Sequence, residues 1–168
     1  MAFLRSMPSL IKIDSKRFDE LFDLAREIWD LHYVPIIGQE QVDYMLNKMY
    51  SPSGLNQQVG EGQSFYFIEQ SNTIIGFLGL SLKQGGFIHK FYIHPNEQGR
   101  GLGKAVFNLI IDELNHPKTI QLTVNRQNFK SINFYFKCGF KIKSVEDFDI
   151  GNDYFMNDFV MEWRNPQI

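Results

Sequence analysis

The sequence predicts a mixed α/β fold in which most neighbouring strands are antiparallel. Segments with strand and helix periodicity follow one another as one strand, two helices, three strands, a helix, a strand, a helix and two strands. Short turns join the three middle strands, which favours antiparallel hairpins. Residues 87–124 form a strand, a helix and a strand, and such a unit normally makes a right-handed parallel crossover.

The first sixty residues carry the first strand and two helices. LIKID, residues 10–14, alternates apolar and polar residues as a short strand does. Apolar residues recur at helical spacing over residues 16–31, with Ser15 as the expected N-cap, and again over residues 38–50. Residues 51–62 are polar and rich in turn residues, which predicts a loop, or a weak helix followed by a loop.

Three strands and two short turns occupy the middle of the chain. SFYFIEQ and IIGFLGLSL alternate as strands and are joined by the turn SNT, while Gly85 and Gly86 mark a second turn. FIHKFYIHP is the third strand, which Pro95 closes. This segment therefore predicts two successive hairpins.

The second half of the chain alternates helices and strands. After the segment QGRGLGKA, an apolar stripe predicts a helix that ends near Asn115, before Pro117. TIQLTV is the next strand, and residues 130–138 form a short helix with Gly139 as its C-cap. FKIKSVEDF and DYFMNDFVMEW are the last two strands.

Composition and charge narrow the function classes. At 168 residues the chain is expected to be a single domain over residues 1–168. A net charge of −2 and the lack of a Lys/Arg-rich arm argue against nucleic acid or an anionic membrane as a partner. No apolar run is long enough for a signal peptide or a membrane span, so a soluble, cytoplasmic protein is expected. The four histidines lack metal-ligand spacing, and no metal is expected.

QGRGLGKA, residues 98–105, places glycines at three alternating positions where a strand runs into a helix. It is not a P-loop, because that motif requires glycine where Gln98 stands and a hydroxyl residue where Ala105 stands. It is not a Gly-x-Gly-x-x-Gly dinucleotide motif, since Lys104 or Val106 replaces the third glycine. A nucleotide-binding kinase is therefore disfavoured.

The same segment retains the chemistry of an anion site. The first amides of a helix have no partner within it, and the helix dipole adds partial positive charge there. Glycines let an anion approach the backbone closely, and Arg100 and Lys104 add charge. The pattern therefore suits a pyrophosphate. The glycines also suit a tight strand-to-helix turn that binds nothing, and the segment alone does not decide between the two.

Two segments together resemble the GCN5-related N-acetyltransferase (GNAT) superfamily. Residues 98–103, QGRGLG, match its Gln/Arg-x-x-Gly-x-Gly/Ala motif and follow FYIHPNE as that motif follows the family's central strand. NRQNFKSINFYFKCGF, residues 125–140, resembles the family's segment in which an asparagine precedes a helix with a tyrosine and a Gly-Phe pair. The resemblance implies a GNAT-like α/β (α+β) fold, with a sheet splayed between the fourth and fifth strands and about four flanking helices.

The resemblance implies acetyl-CoA as co-substrate and no metal. In the family the pyrophosphate lies on the amides of the glycine turn, and the pantetheine arm pairs with the preceding strand as an added strand would. That strand, residues 87–94, is therefore expected to separate from residues 119–124 at one end. The residues assigned to the cofactor are Phe91, Tyr92, Ile93, Gln98, Gly99, Arg100, Gly101, Leu102, Gly103, Lys104 and Asn128.

The implied reaction is direct attack of an amine on the thioester carbonyl, with a backbone amide near Ile93 stabilising the developing oxyanion. Tyr135 matches the tyrosine that serves the family as general acid, and a phenol with a pKa of about 10 can protonate a thiolate. From its helix alone, Tyr135 would be an ordinary packed aromatic residue between Phe134 and Phe136.

The general base is not identified by the sequence. Some relatives carry a glutamate at a place that falls near Thr123 here, and a threonine cannot take a proton from an ammonium. Glu69, His89 and His94 are possible substitutes, and none of them is preferred. The single cysteine, Cys138, rules out an intrachain disulfide and is expected to pack at a helix end instead of carrying the acetyl group.

Acidic residues bear on the acceptor. In the family the early helices and the last strands frame the acceptor entrance, and acid there would attract a polyamine or a basic peptide amine. The alternative is ordinary solvated surface charge. WDLHYVP weakly resembles bacterial polyamine-acetylating members, so Tyr33 is a candidate for the acceptor pocket. The acids are Asp19, Glu20, Asp23, Glu27, Asp30, Glu146, Asp147, Asp149, Asp153, Asp158 and Glu162.

The resulting interpretation is an acetyl-CoA-dependent N-acetyltransferase that transfers an acetyl group to a primary amine, with a polyamine or another small cationic amine as the expected acceptor. Two alternatives stay open: a peptide or protein N-acetyltransferase, and a non-catalytic CoA-binding regulatory module with the same fold. A homodimer is also possible, because the aromatic last strand could pair across an interface or fill the core.

Overall fold

The computed structural model describes residues 6–168. The prediction that the chain has no signal peptide rests partly on residues 1–5, which lie outside the described residues. The strands are β1 (Ser9–Lys12), β2 (Ser64–Gln70), β3 (Thr73–Ser81), β4 (Phe87–Ile93), β5 (Thr119–Asn125), β6 (Lys141–Gly151) and β7 (Tyr154–Arg164). The helices are α1 (Phe18–His32), α2 (Val34–Ile37), α3 (Gln39–Tyr50), α4 (Pro52–Gly60), α5 (Leu102–Glu113) and α6 (Phe129–Cys138).

The seven strands found in residues 6–168 form one sheet in the order β1-β2-β3-β4-β5-β7-β6. Neighbouring strands are antiparallel throughout, except for the parallel pair β4 and β5. The predicted mixed, mostly antiparallel sheet is therefore confirmed, as are the two hairpins and the parallel crossover through α5.

Residues 6–168 contain six α-helices, whereas about four were expected; the two additional ones, α2 and α4, are short. α2 is a single turn with a proline near its start, and α4 replaces most of the predicted loop at residues 51–62. The Ser51 hydroxyl accepts a hydrogen bond from the Gly54 amide, and Pro52 occupies the first helical turn, so α4 has a regular N-terminus. The expected N-cap Ser15 was wrong: Asp14 caps a short 3₁₀ turn that leads into α1.

A β-bulge in β4 separates it from β5. His89 is the extra residue, because Ile88 and Lys90 pair with consecutive residues of β3. The parallel pairing with β5 is confined to Phe87 and Ile88, at the beginning of β4. Since a bulge bends and twists its strand, the remainder of β4 diverges from β5. The predicted splay between the fourth and fifth strands is confirmed.

Two hydrophobic cores cover the two faces of the sheet. One lies beneath α5 and α6, where Val106, Ile110 and Phe140 are buried. The other lies beneath α1, α3 and α4, where Leu21, Leu46 and Leu55 are fully buried. The gap between β4 and β5 therefore connects two separately packed faces. Among residues 6–168, no helix has the length and apolar character needed to cross a membrane.

Candidate active site

The glycine turn exposes the start of α5. Gly99, Arg100 and Gly101 have φ values of 102°, 55° and 74°, a left-handed conformation that favours glycine. No side chain caps the helix at Gly101, and no other part of the molecule lies within 4 Å of a Cβ placed on Gly99 or Gly101. The first amides of α5 are therefore accessible to a ligand, and the helix dipole favours an anion there.

Gly103 has a different role in the same turn. A Cβ at this position would lie 2.7 Å from Cε2 of Phe134, which is on α6. The glycine therefore permits the close packing of α5 against α6. This contact fixes one wall of the groove that begins at the turn.

A cavity of about 580 Å³ extends from the glycine turn along α6 to β4. Its volume is within the range typical of sites for drug-sized ligands and cofactors. The groove includes Lys130 and Lys137 of α6. The sequence interpretation did not single them out, although Lys130 precedes Tyr135 and Lys137 follows it within the same helix. Predicted cofactor residues that line it are Phe91, Ile93, Gln98, Gly99, Gly101, Leu102, Gly103 and Lys104.

Three predicted cofactor residues are placed differently. Arg100 is exposed and is not part of the groove wall. Tyr92 and Asn128 line a second cavity on the opposite face of the sheet. Asn128 is buried, and its Oδ1 accepts a hydrogen bond of 3.2 Å from the Ser131 amide, so it caps α6.

The backbone of β4 offers an unpaired edge toward the gap. The His94 amide donates to the carbonyl of Ile75 in β3 at 2.7 Å, so alternation directs the backbone groups of Tyr92 to β3 as well. The backbone groups of Phe91 and Ile93 then face the gap. The Ile93 carbonyl accepts a hydrogen bond of 2.8 Å from Nε2 of Gln98. An extended ligand arm can therefore pair with this edge.

The second cavity, which we call the acceptor cavity after the role proposed for it below, measures about 90 Å³ and lies on the face covered by α1 and α3. Aromatic rings form much of its wall, with Trp29 and Tyr33 at a centroid distance of 4.6 Å. The hydroxyls of Tyr33 and Tyr92 are 3.3 Å apart. Within residues 6–168, neither Nε1 of Trp29 nor the hydroxyl of Tyr50 has a hydrogen-bond partner, although both atoms are buried.

The groove and the acceptor cavity meet at the gap between β4 and β5. Phe91, Ser131 and Tyr135 line both. The Tyr135 ring is buried against Phe134 and Phe140, at centroid distances of 5.4 and 5.5 Å. Burial, followed by proximity to Tyr33, raises the pKa of Tyr135 above its usual value. Its phenol is protonated at neutral pH, as that of an ordinary tyrosine is, and can donate a hydrogen bond.

A buried carboxylate, Asp158, also lines the acceptor cavity. Asp158 lies on β7 directly across from Asn125, beside Thr123 on the same face of the sheet. Burial raises the pKa of Asp158 to about 6, although the Thr123 hydroxyl and the charge of Arg126 oppose the increase. The sequence interpretation counted Asp158 only as one of many surface acids. Met156 and Val160, two residues before and after it, lie on the same face of the strand, and this alternation was the signal that marked Asp158 as an inward-facing residue.

The other acids and the suggested bases are distributed differently. Several acids were expected to attract a cationic acceptor. Within the described residues, Asp158 is the only one of them that lines the acceptor cavity. His89 lines it too, and burial together with Lys90 and Lys83 lowers the pKa of His89 to about 4. His94 is 3.0 Å from a carboxylate oxygen of Glu27, and neither His94 nor Glu69 lines either cavity.

Cys138 lies in the wall of the groove and is half-buried. Burial raises the pKa of its thiol to about 11, so the thiolate needed for covalent acetyl transfer is scarce at neutral pH. Across residues 6–168, no three potential ligands of the His, Cys, Asp or Glu type are grouped so as to hold a metal ion.

The sequence and the fold match known acetyltransferases. The profile of the acetyltransferase (GNAT) family matches residues 19–140. A spermidine N(1)-acetyltransferase of Thermoplasma acidophilum is 29% identical over 154 residues, which cover 86% of this chain and 92% of that protein.

Two solved structures share the fold. The PaiA N-acetyltransferase of Thermoplasma acidophilum, in complex with coenzyme A, has a TM-score of 0.75 and 24% identity, over 95% of this chain and 99% of that one. The spermidine N-acetyltransferase of Vibrio cholerae, in complex with CoA and spermine, has a TM-score of 0.65 and 18% identity, over 95% and 96% of the two chains.

A splayed mixed sheet with a glycine turn beside the splay defines the class of protein, and the chain belongs to the acetyltransferase (GNAT) family. It is an N-acetyltransferase of that family, which uses acetyl-CoA. The resemblance noted from the two sequence segments is thereby confirmed.

Proposed function

We propose that this N-acetyltransferase transfers the acetyl group of acetyl-CoA to a primary amine of a polyamine or a similar small cationic amine. The observation that carries the proposal is the meeting of two cavities at the gap in the sheet, where Tyr135 borders both. A donor in the groove and an acceptor in the acceptor cavity would meet only there.

The groove suits an acyl-CoA in three respects. The uncapped start of α5 presents amides to a pyrophosphate, and Lys104, Lys130 and Lys137 add positive charge along the walls. The free backbone edge at Phe91 and Ile93 suits the amide groups of a pantetheine arm. When bound, acetyl-CoA supplies the activated acetyl thioester. Gln98 would support the site indirectly, by holding the Ile93 carbonyl.

Tyr135 is the proposed general acid. Its phenol is protonated at neutral pH, as an ordinary tyrosine is, and it borders both cavities. It would therefore donate its proton to the leaving sulfur when the new amide bond forms. An amide of the free β4 edge near Ile93 would stabilise the negative charge on the carbonyl oxygen.

The acceptor cavity suits a thin, positively charged molecule. The rings of Trp29, Tyr33, Tyr50 and Tyr92 offer π faces that attract ammonium groups, and Asp158 offers the opposite charge. Methionine side chains suit the methylene segments between the amines of a polyamine. The similarity to a spermidine N(1)-acetyltransferase supports the same class of acceptor.

The proposal is tested in two stages. CoA and acetyl-CoA are expected to raise the melting temperature, whereas ATP leaves it unchanged, because ligands that bind only the folded state stabilise it. CoA thiol release is then measured with spermidine, spermine, putrescine and a lysine peptide. Faster turnover of the polyamines supports the proposal, and turnover of the peptide alone would assign the enzyme to peptide amines. CoA binding without turnover of any amine would contradict it.

A further inference from the structure

Asp158 is an ionisable group in a place that costs folding free energy. Only 5% of its surface is exposed, and aromatic and methionine side chains make up half of the residues that line its cavity. A buried carboxylate without a cationic partner is unfavourable. Arg126 influences it, but Nη2 of Arg126 donates to the carboxylate of Asp147 at 2.7 Å. The cation that would neutralise Asp158 is therefore supplied best by a ligand in the cavity.

The groups around Asp158 come from several elements. β5 provides Thr123 and Asn125, which are both uncharged. The Asp158 carboxylate therefore carries the negative charge on this part of the wall. Glu146 of β6 lies directly across from it but is exposed and outside the cavity. The remaining polar or titratable neighbours are Arg126 at the end of β5, Tyr33 after α1, and Tyr92 and His89 of β4 in the same cavity.

We propose that Asp158 binds the acceptor ammonium and removes the proton that the nitrogen must lose before it attacks the thioester. This inference rests on the proposed function, and it assigns the general base that the sequence left open. Asp158 belongs to β7 but lies beside Thr123, so a neighbouring strand supplies the carboxylate where the sequence offered only a hydroxyl.

An acceptor that arrives as an ammonium has three N–H protons, and each has a defined destination. Asp158 takes one proton and later releases it to solvent. The neutral nitrogen then forms its bond to the carbonyl carbon, and the carbon–sulfur bond breaks. The second N–H proton replaces the one that Tyr135 gives to the sulfur, so CoA leaves as a thiol. The third remains on the product amide.

The alternative base in the cavity is less suited to this step. His89 shares a hydrogen bond of 2.9 Å between its Nε2 and the Ser81 hydroxyl, and its pKa is lowered to about 4. The raised pKa of Asp158, about 6, is closer to neutral pH, and a base is most effective when its pKa is near the working pH. Asp158 is still ionised at pH 7 and can therefore both attract the ammonium and accept its proton.

The test compares Asp158→Asn with the matched control Glu146→Gln, which changes the acid directly across the strand pair. Initial rates of CoA release with spermidine are measured from pH 6 to pH 10, at saturating acetyl-CoA. We expect Asp158→Asn to lower kcat by about 10²–10³-fold at pH 7. The deficit should shrink toward pH 10, because the amine then loses its proton without a base. Glu146→Gln should stay within about twofold of the wild type, as expected of a surface change.

A readout independent of turnover accompanies the rates. Calorimetric titration with spermidine in the presence of CoA should show binding to the wild type and to Glu146→Gln, and weaker binding to Asp158→Asn. An Asp158→Asn enzyme with wild-type rates, or with a deficit that is constant across pH, would overturn the role of Asp158 while leaving the proposed function intact. A wild type that acetylates no amine would overturn both proposals.

Discussion

If Asp158 is held in its cavity at the expense of folding, its neutral isostere should make the protein more stable. Asp158→Asn keeps the shape of the side chain and an oxygen for the Thr123 hydroxyl. It removes the charge that burial disfavours. We therefore expect the variant that loses activity to gain stability, a trade-off often seen at functional sites.

The size of the gain follows from the pKa of Asp158. Its increase from the model-peptide value of 3.8 to about 6 corresponds to an upper limit of about 3 kcal/mol for ionising the group in the folded protein. A gain of about 1–3 kcal/mol in unfolding free energy is expected above pH 7. For a chain of this size this corresponds to an increase of about 3–10 °C in melting temperature.

The gain should depend on pH in a defined direction. Because the pKa of Asp158 is higher in the folded protein, the folded state binds more protons than the unfolded state between about pH 4 and pH 6. Wild-type stability arising from this group therefore falls as the pH rises through that window. The difference between Asp158→Asn and the wild type should be near zero at pH 4 and largest above pH 7.

Urea unfolding at pH 4.5, 5.5, 6.5 and 7.5 measures this difference, with Glu146→Gln as the control. The control should show no comparable gain, because Glu146 is exposed. A stability difference that is absent, or that does not change with pH, would refute the reasoning that Asp158 is desolvated in the folded protein.

Three further predictions concern other residues. Gly103→Ala should lower the unfolding free energy by about 1–3 kcal/mol in urea unfolding and weaken CoA binding in calorimetry, because its Cβ would meet Phe134. The control Gly60→Ala should do neither, because its Cβ meets no other atom. Tyr135→Phe should lower kcat about 10²-fold with little change in the KM for acetyl-CoA; unchanged turnover would remove it from the mechanism. Burial lowers the pKa of Lys90 to about 7, so wild-type stability should rise between pH 7 and pH 10, and Lys90→Met should abolish that rise.

Much of the fold could be predicted because its determinants are local. Alternating apolar residues and short turns specify the hairpins, and Gly139 ends α6 in the left-handed conformation expected of a C-cap. α4 was uncertain because its nine residues contain few apolar positions, and the packing of Leu55 is what stabilises it. Helices this short depend on tertiary contacts that a sequence pattern does not contain.

The candidate site likewise contains features that local sequence determines and features that depend on tertiary contacts. The glycine turn could be predicted because its backbone conformation depends on neighbouring residues in the chain. The role proposed for Asp158 could not be predicted, because its burial depends on helices more than a hundred residues away.

The two faces of β4 could not be distinguished from the sequence either. Phe91 borders the groove, while the adjacent Tyr92 directs its hydroxyl toward Tyr33 in the acceptor cavity. A motif that assigns both residues to the cofactor does not distinguish these faces.

The gap that the bulge at His89 opens through the sheet has a consequence for the order of events. In the proposed function the donor occupies the groove and the acceptor occupies the acceptor cavity on the opposite face, so neither would have to leave before the other arrives. The thiol of Cys138 is protonated because burial raises its pKa, so it is poorly suited to form a covalent acetyl-enzyme intermediate. A ternary complex should therefore precede transfer, and double-reciprocal plots at several fixed amine concentrations should give intersecting lines instead of parallel ones.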